Sequence, residues 1–117
     1  MPSRGNEGRT PKPADSRFLI PLGLALVRGD SMRPTLAPGD RLLVRYGRSP
    51  RPGRVVVGRF ADGTTAVKRA VEQRPGGWWL LSDNPADGVD SRHRGVVAED
   101  DVVAVVLARL WPRPRRL

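Results

Sequence analysis

The stretch RVVVGRFADGTTAVKRAVE, from Arg54 to Glu72, decides how the chain is read. Both halves are rich in β-branched residues. Between them stands Ala-Asp-Gly, whose glycine supplies the left-handed backbone that a tight hairpin needs. The reading is an antiparallel hairpin of residues 54–60 and 65–72. Within its second half a period of two sends Ala66, Lys68 and Ala70 to one face and Val67, Arg69 and Val71 to the other. A strand lysine flanked by alanines has room beside it for a side chain arriving from elsewhere in the fold.

The segments on either side repeat the pattern. RLLVRY before the hairpin, and GWWLLS and DVVAVVLARL after it, are short β-rich runs bounded by SPRPG, RPGG and DNPADG. Gly76–Gly77 marks a second hairpin, and the adjacent Trp78 and Trp79 must face opposite ways on a strand. No long helical period is present. Five or six strands spaced this way predict a mainly β fold, a small coiled antiparallel barrel or sandwich without long helices. At 117 residues the chain accommodates one domain. The expected division is a basic tail over residues 1–17, a folded domain over 18–110 and a basic Pro/Arg tail over 111–117, with the tails weakly attached.

Charge and composition narrow the chemistry. The net charge is +9, but residues 1–17 carry four bases against two acids and residues 109–117 four bases and no acid, so six of the nine excess charges lie near the ends. That distribution, with few aromatic side chains to stack on bases, reads as solvated tails and not as a dedicated nucleic-acid surface. The chain has no cysteine and a single histidine, His93, which excludes a disulfide framework, a thiolate metal site and a cysteine nucleophile. No metal and no cofactor is expected. The most apolar run, FLIPLGLALV from Phe18 to Val27, would rise about 15 Å as a helix, half of a ~30 Å hydrocarbon core, and Pro21 and Gly23 interrupt it. It reads as a first strand or a hydrophobic flap, with a peripheral membrane contact as the alternative. The expected location is cytoplasmic.

Catalysis, if the chain performs any, has to come from serine, lysine and carboxylates. Of 21 basic residues only Lys12 and Lys68 are lysines, and Lys12 lies in the Pro-rich tail. The distinction is physical: a guanidinium keeps its proton near neutrality, whereas an ammonium buried among apolar groups can lose one and act as a base. Thirty-seven residues before Lys68, Ser31 stands in the turn-rich stretch GDSMRPTLAPGD. A hydroxyl is a poor nucleophile until a base takes its proton, and a neutral lysine amine can replace histidine in that role.

Four segments in order, GDSMRPTLAPGD, LLVRY with RPGRVVVGRF, AVKRAV, and SDNPADGVDSRHRGVV, resemble the boxes of the signal peptidase I family, the S26 type of Ser/Lys serine peptidase. The resemblance spans about residues 27–106. It implies Ser31 as nucleophile and Lys68 as general base, with Met32 anchoring the nucleophile and the Ser31 backbone N–H facing the substrate oxyanion. Asp90 and Arg92 fall where the family forms a structural salt bridge, and Arg69 follows the base. Three positions depart from the pattern. Gly29 replaces a serine that completes the oxyanion hole, Gly88 replaces a serine that orients the lysine, and Ser82 replaces a glycine, so that Ser82 or a water would take over the orientation of Lys68. His93 has no counterpart there and is expected to be exposed.

Within that family the short chain is most similar to the nickel-type superoxide dismutase maturation proteases. This implies a leader peptide on a precursor protein, such as a nickel superoxide dismutase precursor, as the substrate. Three alternatives stay open: a generic signal-peptidase-like enzyme, a self-cleaving LexA/UmuD-like S24 peptidase, and a non-catalytic β module that binds peptides by strand addition.

Overall fold

The computed structural model describes residues 21–117, and these form a seven-stranded antiparallel sheet with only two single-turn helical segments. The strands are β1 (Leu22–Leu26), β2 (Arg41–Tyr46), β3 (Arg54–Arg59), β4 (Thr65–Arg74), β5 (Gly77–Leu81), β6 (Val102–Trp111) and β7 (Arg115–Arg116). They lie in the order β1-β2-β6-β3-β4-β5, with β7 added to β6. The mainly β fold expected from the sequence is the one observed. The tail over residues 1–17 and the first three residues of the apolar run lie outside the described residues, and the rest of that run contains β1.

The β3–β4 hairpin turns at the expected Ala-Asp-Gly, pairing Arg59 with Thr65 and, further along, Val56 with Lys68. The second hairpin turns at Gly76, pairing Arg74 with Gly77. Trp78 is buried, while the neighbouring Trp79 turns outward, where the Arg74 guanidinium stacks 3.8 Å from its ring centre. β3 and β6 are central and apolar on both sides, which is why their sequences run as unbroken valines instead of alternating. Val55 and Val106 join one cluster with Met32, Leu36, Leu42 and Val44, whereas Val56 and Val105 join another with Phe60, Ala70, Trp78 and Leu80.

The C-terminal segment departs from the weakly attached tail expected of it. β3 pairs with β6 only as far as Val105, so the rest of that β6 edge is open. Residues 115–116 fill it, with Ala108 opposite Arg116 and Leu117 N–H donating to Leu107 O. Leu117 packs against the first core cluster. A backbone edge that needs partners outweighs the local Pro/Arg composition.

Among the described residues, β1 and the start of β4 leave edges unfilled. Among them β1 pairs only with β2, and β5 joins β4 only from Arg69 onward, so residues 65–68 pair with β3 alone.

Candidate active site

Ser31 sits in the loop between β1 and β2. The loop is closed at its base by Val27 N–H donating to Asp40 O and Gly39 N–H donating to Val27 O. A single helical turn follows Ser31, with Leu36 N–H donating to Met32 O. That spacing points Met32 and Leu36, each 1% exposed, into the first core cluster. Anchored by Met32, Ser31 stands half-buried at the loop surface. Gly29 precedes it with φ +75, a left-handed backbone in open space. Among the described residues the Ser31 N–H makes no backbone hydrogen bond.

Lys68 lies in mid-β4 and is 3% exposed. Its Nζ donates to Ser82 Oγ at 3.0 Å. Burial pushes its pKa below the usual lysine value, a shift that Asp90 and Asp87 oppose and Arg92 reinforces. Ser31, Lys68 and Ser82 meet at Gly88. A Cβ placed on Gly88 would lie 2.5 Å from Ser31 Cβ, 3.1 Å from Lys68 Nζ and 3.3 Å from Ser82 Oγ. The Ser31 Cβ to Lys68 Nζ separation is therefore no more than the sum of the first two distances. With φ at +81 as well, position 88 is closed to a side chain on steric and backbone grounds together.

The segment after β5 binds these parts into one unit. Ser82 receives Lys68. Asp83 accepts two hydrogen bonds from Arg69, at 2.8 and 2.7 Å, and one from Thr35 Oγ1 at 2.6 Å, which links β4 to the loop that carries Ser31. Desolvation opposes ionisation of Asp83, but the bonds from Arg69 and Thr35 outweigh it and hold the carboxyl below its usual value. Asn84 N–H donates to Ser31 O at 2.8 Å, and its side-chain amide donates to Asp30 O at 3.2 Å. From behind, Arg109 of β6 approaches Thr35 O and the buried Asp40, both at 3.4 Å. Sequence reading singled out Arg69 and Ser82 but missed Thr35, Asp40, Asp83, Asn84 and Arg109. The available signal was the Ser-Asp-Asn run after a strand, three adjacent short polar side chains in a domain otherwise bounded by Gly and Pro turns.

Asp90 holds the outer edge of β5. Fully buried, it accepts from Ser82 N–H at 2.9 Å, from Arg92 N–H and Nε at 3.0 Å each, and from Arg92 NH2 at 3.1 Å. Ser91 Oγ accepts from Leu80 N–H at 2.9 Å, so two β5 amides that have no strand neighbour are satisfied by side chains. Asp90 also caps the helical turn Ser91–Arg94. His93, about half exposed, closes the reciprocal bond by accepting from Asp90 N–H, a capping role and not a catalytic one.

Desolvation disfavours the Asp90 carboxylate, yet the Arg92 and Ser82 hydrogen bonds outweigh it and bring its pKa to about 2. A carboxyl whose folded pKa lies below its unfolded value stabilises the fold above the unfolded pKa, and that stability is lost as pH falls toward the folded value. For Asp90 this amounts to about 2 kcal/mol. Urea titrations of the wild type and Asp90→Asn between pH 7 and pH 2 should converge as the pH drops. A constant gap across that range would show that the ionised carboxylate is not the source.

A groove of about 310 Å³ runs past Ser31 between the two unfilled edges, lined by Ala25, Leu26, Val27 and Arg28 on one side and by Thr65, Ala66 and Val67 on the other. Among the described residues no cluster of His, Cys, Asp and Glu could hold a metal ion, and no helix is long and apolar enough to cross a membrane.

The chain also resembles known proteins. The family described as Peptidase S24-like matches residues 19–106. Mitochondrial inner membrane protease subunit 1 of Schizosaccharomyces pombe is 32% identical over 115 residues, covering 76% of this chain and 73% of that protein. The sequence motifs resemble the S26 type with S24 as an alternative, and the two likenesses meet at the level those types share. With a family match across most of the chain and a protease relative of similar extent, the chain belongs to the Peptidase S24-like family and is a peptidase of the signal-peptidase and LexA-like kind.

Proposed function

We propose that the protein is a serine endopeptidase in which Ser31 is the nucleophile and Lys68 the general base, and that it removes a leader peptide from a precursor protein. One observation carries this reading: a buried lysine amine, its pKa lowered, packed against the same glycine as the Cβ of a serine that lines a groove. In the first half-reaction neutral Lys68 Nζ takes the Ser31 hydroxyl proton as Oγ bonds to the scissile carbonyl carbon. The oxyanion is held by the Ser31 N–H, with Gly29 keeping that approach open. The Lys68 ammonium then protonates the leaving amine as the C–N bond breaks. Water, deprotonated by the same lysine, cleaves the resulting ester and frees Ser31.

Ser82 orients the amine, taking the place of the serine that Gly88 lacks, while Asp90 and Arg92 hold Ser82. As the acceptor of an ammonium hydrogen bond, Ser82 favours the charged form, so Ser82→Ala should lower the Lys68 pKa further. The expected result is a fall in kcat of about tenfold to a hundredfold with little change in KM, and an acid limb of the pH–rate profile displaced to lower pH. An unmoved limb would reduce Ser82 to a packing residue.

The finer assignment, maturation of a nickel superoxide dismutase precursor, is supported by the resemblance of the ordered motifs to that group. Incubating the full chain with such a precursor, beside a Ser31→Ala control, tests it. Release of the leader by the wild type alone is the expected result, and an intact precursor would leave the peptidase assignment without this substrate. The S24-like match favours a second reading, cleavage within the chain itself. Concentration-independent shortening of the purified protein, followed by mass spectrometry, would select it over cleavage in trans. Peripheral membrane contact belongs to the proposal as well: Leu22, Leu24 and Leu26 are 46%, 72% and 49% exposed along one face of β1. Flotation with anionic vesicles that is lost on Leu24→Ser would support it, and absence of flotation would dismiss it.

A further inference from the structure

Among the described residues Arg28 is the one charged side chain lining the groove; the other nine residues there are uncharged. It is exposed, and among the described residues it has no salt bridge, whereas the next charge along the loop, Asp30, is already paired with Arg33 at 2.5 Å. Among the described residues no carboxylate lines the groove to compensate it. A guanidinium at the wall of a binding cleft presents donors in a fork that matches a carboxylate. Its reach is set by chain geometry. Arg28 and Ser31 are three residues apart, so their Cα atoms are within about 11 Å even if the segment is extended. An extended substrate advances about 3.3 Å per residue. Arg28 therefore addresses substrate positions within about three residues of the bond presented to Ser31.

We propose that Arg28 makes this groove selective for peptides carrying an aspartate or glutamate side chain within three residues of the scissile bond. The inference rests on the groove being the substrate site, as the peptidase reading holds, but it can be tested without turnover. Ser31→Ala protein is titrated by fluorescence anisotropy with extended peptides. Their small-residue core is constant, and Asp, Ala or Lys is placed in turn at each of the three positions on either side of the central bond.

At one of these positions Asp should bind about tenfold more tightly than Lys, with the difference shrinking in high salt. Adding Arg28→Glu should invert the order at that same position, and Arg28→Lys should preserve its sign. An exposed residue at a loop start is not needed for folding, and unchanged melting curves would verify this. Equal affinity for Asp and Lys everywhere, a preference that survives Arg28→Glu, or no binding by any of the peptides would each overturn the inference. Acid-selective binding to Ser31→Ala together with no cleavage by the wild-type chain would instead uphold Arg28 while refuting the dyad.

Discussion

Lys68→Arg and Lys68→Met should each lower kcat/KM by about a thousandfold or more, matching Ser31→Ala, because on the proposed mechanism each removes the group that accepts the Ser31 proton. Arginine keeps the charge and most of the reach but cannot give up its proton near neutrality, so it separates base catalysis from electrostatic support. In the wild type, activity should rise with pH through the lowered Lys68 value and not through that of an ordinary lysine. The two substitutions diverge in stability. A lysine whose folded pKa is lowered binds fewer protons folded than unfolded. It therefore destabilises the native state at pH values below the folded pKa, and that penalty fades as pH climbs toward the unfolded value. Lys68→Met removes the penalty with a similar volume, so at pH 7 it should be more stable than the wild type by on the order of 1 kcal/mol, an advantage that disappears at alkaline pH. Lys68→Arg should gain nothing. Undiminished cleavage by Lys68→Arg would end the dyad mechanism, and a less stable Lys68→Met would show that the ammonium is well compensated where it lies.

Gly88→Ala should damage both fold and function, and Gly88→Ser should do so at least as severely although related enzymes are expected to carry serine there. The added Cβ would be 2.5 Å from Ser31 Cβ, and the φ of +81 suits only glycine without cost. Left-handed backbone alone costs about 1–2 kcal/mol for a residue with a Cβ, and displacement of the Ser31 loop adds overpacking of similar size. A loss of about 2–4 kcal/mol in urea titrations is expected, with kcat reduced by at least about a hundredfold, since small displacements of reacting groups are expensive. Combining Gly88→Ser with Ser82→Gly would restore the customary arrangement of hydroxyls but not relieve the approach to Ser31, so it should not rescue activity. Full activity in Gly88→Ser would mean that the loop adapts and that Ser82 is dispensable.

What was legible in the sequence followed from local rules. Ala-Asp-Gly and Gly-Gly announced their hairpins, and alternation placed Lys68 on the face shared by Ala66 and Ala70. The scarcity of lysine set Lys68 apart before any contact was known. What was not legible depends on the path of the chain. The grip of Asp83 on Arg69 and Thr35 joins residues 14 and 48 positions away. The Asp40–Arg109 pair spans 69. No period or turn rule connects such partners. The ordering of residues 115–117 was hidden for the same reason, because the open edge of β6 that recruits them is created by where β3 stops. In sequence, Gly88 stands out only as the loss of an orienting serine. The fold shows it as the gap in which Ser31, Lys68 and Ser82 meet.

The two unfilled edges flanking Ser31 have a consequence for product release. A peptide laid between β1 and the start of β4 would act as the missing strand of the sheet, bonded on both sides of the scissile bond, and its affinity would be that of a bivalent ligand. Hydrolysis severs the two halves, and each fragment then holds only its own share of the backbone ladder without the other to keep it near. Because the contributions of the halves multiply in the intact peptide and act singly after the cut, both products should leave far more readily than the substrate does. Such a groove would bind extended chains firmly and still clear itself, with no moving lid needed to expel a cut peptide.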